Sequence, residues 1–78
     1  MNDEYIPVSC ECHSEYELAI MHNKTLRVHW RDSEKTRHTT VRPTDLHTLN
    51  RAEYLAGYDD TGKHIQIRLD KIIEAHEI

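Results

Sequence analysis

The residues with the most reactive side chains are Cys10, Cys12 and His13, which lie within four consecutive positions. Thiolates and imidazoles are typical zinc ligands, but zinc sites generally use cysteines two to four residues apart, with a second ligand pair elsewhere. Here a single residue separates the two cysteines, and the chain contains no other cysteine. A small metal-binding protein is therefore the weakest of three alternatives, and we expect neither a metal site nor a cofactor.

A catalytic role for a Cys–His pair has no further support in the sequence. Nucleophilic catalysis requires a group that orients the base and donors that stabilise a developing oxyanion. No motif for either is recognisable along the 78 residues. We therefore predict a protein that is not an enzyme, and the candidate functions are binding functions.

Acidic residues are concentrated near the N-terminus. The net charge is −4, yet residues 1–20 contain five acids and no Lys or Arg, whereas residues 21–51 contain seven basic residues against three acids. Carboxylates in the first turn of a helix are favoured by its dipole, which is one explanation. The other is a surface that mimics a phosphate backbone toward a basic partner, with fast and salt-sensitive association. The five acids are Asp3, Glu4, Glu11, Glu15 and Glu17.

The basic middle of the chain offers an alternative binding surface. Arg27, His29 and Arg31 alternate along one predicted strand and therefore share its outward face. With two later arginines they would form a basic strip for phosphate groups. Those two are Arg37 and Arg42. The other interpretation is that these arginines lie on a solvated face whose charge is partly neutralised by neighbouring acids. Most of the seven histidines also fall on predicted polar faces.

A short helix is predicted over residues 14–22. Ser14 and Glu17 have the spacing of a capping box, in which each side chain bonds to the backbone N–H of the other residue. Tyr16, Ala19 and Ile20 would then face inward. Residues 1–13 are predicted to be extended, and residues 25–75 to form the sheet.

Alternating apolar residues predict four or five short strands after this helix. Leu26, Val28 and Trp30 share one face of the first, and Thr39 and Val41 are the buried side of the second. Residues 44–51 are compatible with a helical turn or a short bent strand. The clearest hairpin has Asp59-Asp60-Thr61-Gly62 as its turn, followed by the alternating Ile65, Ile67 and Leu69; the segment Ile72-Ile73 would close the sheet.

One helix and about five strands in 78 residues predict a single domain, residues 1–78, of mainly β (α+β) class. So short a chain would bend its strands into a small barrel, since closure removes exposed edges. No apolar run approaches the ~20 residues of a membrane span, and the N-terminus lacks a secretory pattern. We expect a cytoplasmic protein with reduced cysteines.

Several segments resemble the Rho-binding antiterminator (Rof) family. The chain opens with Met1-Asn2-Asp3 and continues with Tyr5, Pro7, Val8, Cys10 and Tyr16-Glu17-Leu18-Ala19. Later segments follow in the same order, namely Asp45-Leu46, Glu53-Tyr54-Leu55 and Ile67-Arg68-Leu69-Asp70-Lys71-Ile72. The resemblance covers most of the chain and implies a strongly bent, Sm-like β-barrel with the helix packed on it.

The resemblance also implies a partner. Rof proteins bind the transcription termination factor Rho at the RNA-binding groove of its N-terminal domain, which excludes RNA and inhibits Rho-dependent termination. The acidic residues would occupy that groove, and loop residues would add specificity. The contact residues predicted in this way are Asp3, Glu11, Glu15, Glu17, Asn50 and Arg51. In this prediction the protein itself binds neither nucleic acid nor a membrane.

A second resemblance leaves another function open. Val41-Arg42-Pro43, the run from Tyr54 to Tyr58 and the run from Ile67 to Ile72 are also similar to the WYL domain of bacterial regulators. That Sm-like module senses ligands or nucleic acid through basic residues, although Glu53 stands where its Trp would be. The alternative is therefore a standalone module that binds a nucleotide or oligonucleotide through Arg27, Arg31, Arg37 and Arg42.

Overall fold

The structure, a computed structural model, describes residues 4–78. It consists of one α-helix, five β-strands and a 3-10 turn, Leu69–Lys71. The elements are α1 (Cys10–Met21), β1 (Leu26–Asp32), β2 (Lys35–Leu49), β3 (Ala52–Asp59), β4 (His64–Arg68) and β5 (Ile72–Glu77). In this part of the chain, no helix has the length and apolar character needed to cross a bilayer.

The strands form one antiparallel sheet in the order β4-β3-β2-β1-β5. This confirms the predicted mainly β class, and it is consistent with a small Sm-like barrel. The sheet differs from a closed barrel because, within residues 4–78, β4 and β5 remain its unpaired edges. The pairing of β5 with β1 shifts between His29 and Trp30, where β5 contains one extra residue, and the pairing of β2 with β3 shifts between Pro43 and Asp45, where β2 contains one extra residue. Bulges of this kind bend a strand and increase its twist.

The helix begins four residues before its predicted start. Ser9, not Ser14, is the N-cap: its backbone is extended, and its hydroxyl accepts a hydrogen bond from the N–H of Cys12 at 3.3 Å. Ser14 and Glu17 therefore lie inside the helix and do not cap it. The prediction of the helix start was wrong because a serine three residues before a glutamate also occurs in helix interiors. The earlier start brings Cys12 against the core.

The inward face of α1 is the predicted one. Tyr16 and Ala19 are each 6% exposed, and Ile20 packs against the same cluster. Burial raises the pKa of Tyr16 to about 12, because the charged phenolate would lose its hydration. The helix therefore covers one face of the sheet, which is the core face.

Strand β2 continues through Pro43 to Leu49, so the bent-strand interpretation of residues 44–51 is the observed one. A proline cannot donate to a β-ladder and is tolerated within a strand at a bulge. Beyond the bulge Leu46 faces Leu55, while Leu49 near the strand end is 52% exposed.

The core contains the residues that alternation predicted, together with Leu55 from β3. Five large side chains are less than 2% exposed: Leu55, Ile67, Leu69, Val28 and Val41. Trp30 lies at the edge of this cluster, and its indole N–H donates to the Thr39 hydroxyl at 3.1 Å.

The predicted hairpin turn after β3 is organised by one carboxylate. Asp59 accepts hydrogen bonds from the backbone N–H and hydroxyl of Thr61 and from the N–H of Lys63, at 2.9, 2.6 and 2.9 Å. The Thr61 hydroxyl and these N–H groups lower the pKa of Asp59. Gly62 completes the turn at φ +86°, a conformation that favours glycine.

We predict that Gly57→Ala destabilises the protein by roughly 2–3 kcal/mol. Gly57 faces Pro43 at the bulge, and an added Cβ would press on the carbonyl oxygen of Arg42 and lie 2.8 Å from Cα of Pro43. Gly62→Ala is the control, since it has free space around it and should cost about 1 kcal/mol for its positive φ alone. Urea unfolding measures both, and equal losses would contradict the close approach.

Candidate functional site

Helix α1 presents its three glutamates on different sides. Glu11 and Glu15, four residues apart, lie on one side, and Glu17 is rotated by about 160° from Glu15 because successive residues turn by about 100°. Glu15 lines a cavity of about 380 Å³ between α1 and β5. Glu17 lines one of about 390 Å³ between α1 and β2, beside Asp45. All three glutamates are exposed, but they do not converge on one point.

The two sides also differ in how their carboxylates are bonded. Within residues 4–78, the side chains of Glu11 and Glu15 make no hydrogen bond or ion pair. Glu17, in contrast, is bonded to His13 one helical turn earlier. Asp3, also predicted to contact the partner, lies outside the described residues.

His13 connects the helix to the sheet. Its Nε2 is 2.6 Å from Oε2 of Glu53 in β3, and its Nδ1 is 3.2 Å from Oε1 of Glu17. Because each ring nitrogen faces a carboxylate, both nitrogens donate best when the imidazole is protonated. The hydrogen bonds, first that to Glu53 and then that to Glu17, raise the pKa of His13 above its ordinary value.

The N-terminal segment is attached to the same region by two further contacts. The Tyr5 hydroxyl donates to Oε1 of Glu53 at 3.2 Å, and the N–H of Ile6 donates to Oδ2 of Asp70 at 2.9 Å. Asp70 also accepts from Nε and Nη2 of Arg68 at 2.6 and 2.7 Å. The Arg68 guanidinium lies 5.7 Å from the centre of the Tyr5 ring. We call this network, with His13, the polar junction.

Ionisation within the polar junction follows from burial and hydrogen bonding. Burial, followed by the charge of Glu53, raises the pKa of Tyr5 to about 12, so the phenol remains a donor. Burial alone would raise the pKa of Asp70, but the hydrogen bonds from Arg68 and Ile6 outweigh it and lower the pKa. The junction thus holds a charged, nearly buried pair, Arg68 and Asp70, against the N-terminal segment.

The predicted loop residues Asn50 and Arg51 form the tip of the β2–β3 hairpin. Both have positive φ, 50° and 65°, which is the pattern of a two-residue type I′ turn. Both are exposed. Because Glu53 follows two residues later and contacts His13, the tip lies at the same end of the molecule as the first turns of α1.

Strand register places three of the four predicted basic residues together. Arg27 faces Thr40, and Arg42 lies two residues beyond Thr40, so both point away from the core. Arg31 shares their face because it is four residues from Arg27 in the same strand. This side of the sheet is the outer face, and all three arginines are exposed on it.

Arg37 does not belong to this basic strip. It faces Trp30 on the core side, and its Nε is 2.6 Å from Oδ2 of Asp32. The prediction that grouped it with Arg42 is wrong because side chains alternate along a strand. The same alternation that buries Val41 already placed Arg37 on that side.

The Cys10-Glu11-Cys12-His13 segment forms the first turn of α1. Both cysteines are free thiols; Cys10 is exposed and Cys12 is half-buried. Two residues apart on a helix, their side chains point about 160° from each other. In the described part of the chain, no group of three or more His, Cys, Asp or Glu is arranged to hold a metal ion.

Sequence reasoning missed the role of Glu53. Its contact with His13 joins residues 40 positions apart, and its contact with Tyr5 joins residues 48 apart. A carboxylate in an otherwise apolar strand was the available signal. Nothing in the local pattern indicates which residues would meet it.

No protein-family model matches the chain. The chain is 35% identical over 72 residues to Protein rof of Escherichia coli (strain K12), and equally to Protein rof of Shigella flexneri. The alignments cover 92% of this chain and 81% of each relative.

Among solved structures, the chain is similar to the proteasome accessory factor B/C (PafBC) of Arthrobacter aurescens, with a TM-score of 0.77 and 18% identity. That match covers 96% of this chain but only 12% of the other. At this identity the likeness shows the fold alone, and it is consistent with the weaker WYL resemblance.

We predict that the polar junction makes stability fall as pH rises above about 6.5. A folded pKa of His13 above the unfolded value of about 6.5 contributes stability below pH 6.5, and this is lost as pH rises through the folded pKa. His13→Gln should therefore lose about 1 kcal/mol at pH 6 and less at pH 9. Urea unfolding at several pH values measures this, with the exposed His22→Gln as control; parallel wild-type and His13→Gln curves would contradict it.

Proposed function

The chain belongs to the Rof family, and from that membership we propose that it binds the transcription termination factor Rho and reduces Rho-dependent termination. The observation that carries the proposal is the 35% identity to Protein rof along 92% of the chain, which confirms the resemblance found in the sequence. Family membership supports a regulatory role in transcription in general, and we propose that the protein acts by binding and not by catalysis.

The proposed contact surface is the end of the molecule where α1 begins. Glu11 and Glu17 lie there on the helix, and the exposed tip of the β2–β3 hairpin, Asn50 and Arg51, lies at the same end. Glu15 extends the surface around the exposed side of the helix. Asp3 lies outside the described residues and remains a predicted contact residue.

The proposed mechanism is electrostatic competition for the RNA-binding groove of the N-terminal domain of Rho. A groove that binds RNA phosphates is basic, so carboxylates attract it and speed association at low salt. Helix α1 contains no Lys or Arg, and Glu11 and Glu15 have no intramolecular partner among residues 4–78. These two carboxylates can therefore pair with Rho without breaking an existing bond.

The polar junction supports this surface by fixing the helix. His13 ties the first turns of α1 to β3 through Glu53, and the same contact positions the hairpin tip beside them. Glu17 is oriented by His13 and is partly neutralised when that imidazole is protonated. We therefore propose that Glu11 and Glu15 contribute more to Rho affinity than Glu17 does.

We predict that Glu11→Gln combined with Glu15→Gln weakens binding to Rho about tenfold at low salt, or about 1.4 kcal/mol. The amide keeps the size of the side chain and removes only its charge. The matched control is Glu34→Gln combined with Asp60→Asn, two exposed acids in the β1–β2 and β3–β4 turns, away from the hairpin tip. Interferometry with the Rho hexamer measures affinity, and a termination assay measures the effect on function.

Two different results would overturn two different parts of this proposal. If the unaltered chain neither binds Rho nor changes termination, the proposed function is wrong. If it binds Rho but the control pair weakens binding as much as the helix pair, the chain recognises Rho through overall charge, and the proposed contact surface is wrong. Competition with a labelled RNA then decides whether Rho's RNA groove is the site.

A further inference from the structure

The outer face of the sheet extends across all five strands and is rich in rings. Arg42 faces Tyr58 and Tyr58 faces His64, so these side chains continue the face that begins with Arg27 and Arg31. Five of the seven histidines, all of which lie in the described range, are on this face; the one on β5 also borders the cavity beside α1. They are His29, His38, His47, His64 and His76.

Rings on neighbouring strands of this face contact each other in three pairs. The pairs found among residues 4–78 are His29 with His38, His47 with Tyr54 and Tyr58 with His64. Their centroids are 4.1, 5.7 and 5.3 Å apart; the first two pairs are stacked, and the third is edge-to-face. His38, Tyr58 and His64 are exposed, so a ligand can reach at least two of the pairs.

Three arginines surround these rings. Arg27 and Arg31 flank His29 two residues away on either side, and Arg42 faces Tyr58. Within residues 4–78, none of the three guanidinium groups makes a hydrogen bond or ion pair. An acid, Glu74, shares the face, and its carboxylate lies 3.6 Å from a ring nitrogen of His76. Asp45, at the bulge of β2, instead lines the cavity beside Glu17.

Guanidinium groups bind phosphates, and exposed aromatic rings stack on nucleic-acid bases. A duplex hides its base faces within its own stack, so a ligand that uses both features is single-stranded. These ring pairs are not part of the hydrophobic core, because the core lies on the opposite face of the sheet. The path along the bent strand β2 from His38 to His47 is at most about 30 Å at 3.3 Å per residue, which spans several nucleotides.

We propose that the outer face binds single-stranded RNA. Arg27, Arg31 and Arg42 contact the phosphates, and the rings of His38 and Tyr58 stack on bases. This activity goes beyond the proposed binding of Rho and uses the side of the molecule opposite the acidic helix. The same small chain then carries a carboxylate surface for a protein and a guanidinium surface for RNA.

Fluorescence anisotropy with a fluorescein-labelled 12-nucleotide single-stranded RNA tests the proposal on the full chain at 50 mM KCl. Arg27→Gln combined with Arg31→Gln should weaken binding about tenfold and reduce the slope of log affinity against log salt by about 1.4, or 0.7 per phosphate contact. The control is Arg37→Gln, which removes one arginine charge from the neighbouring strand on the core face and should leave the affinity within about twofold.

Two variants of one tyrosine test the role of the rings. Tyr58→Ala should weaken RNA binding about tenfold, whereas Tyr58→Phe keeps the ring and should bind as the unaltered chain does. Thermal unfolding of each variant confirms that it is folded. If both variants bind RNA like the unaltered chain, the face attracts polyanions through its positive charge alone, and the proposed stacking site is wrong.

Three other outcomes overturn the proposal. They are a lack of RNA binding by the unaltered chain, equal affinity for a 12-base-pair duplex, and an effect of Arg37→Gln as large as that of the outer-face pair. Rho binding by the Arg27→Gln, Arg31→Gln protein is measured alongside and should be unchanged. The two proposals can therefore fail independently, because each uses residues that the other does not.

Discussion

The bend of β2 at Pro43 determines the shape of the whole sheet. The first half of this strand pairs with β1 and its second half with β3, so the angle at the bulge sets the angle between the two halves of the sheet. Gly57 allows the bend, because a side chain there would collide with the backbone of β2. Val41 on one side of the bulge and Leu55 on the other then meet in one core beneath α1.

The alternation of side chains along the bent strands separates the charges of the chain. Carboxylates lie on α1 above the core face, while ring pairs and arginines with no partner among residues 4–78 lie on the outer face. The net charge of −4 is therefore the sum of two surfaces of different character. A small protein with one sheet and one helix has only two such sides, and here each has its own chemistry.

The polar junction is what gives the acidic side a fixed geometry. A helix of 12 residues is marginal by itself and requires docking. Apolar contacts of Tyr16 and Ala19 hold the middle of α1, whereas the bond between His13 and Glu53 holds its start. Because that bond strengthens when His13 is protonated, the attachment of the helix start depends on pH.

The sequence by itself determined the features that depend on neighbouring residues: the inward faces of α1, β1 and β4, the turn at Asp59 and the mainly β class. These follow from side-chain period and turn chemistry, which act over a few positions. Only the tertiary structure decided the helix start at Ser9, the open sheet and the contact of His13 with Glu53. It also set the register that brings His29 against His38. Register and long-range polar contacts depend on how distant strands align, and residues 40 positions apart carry no local signal of their partner.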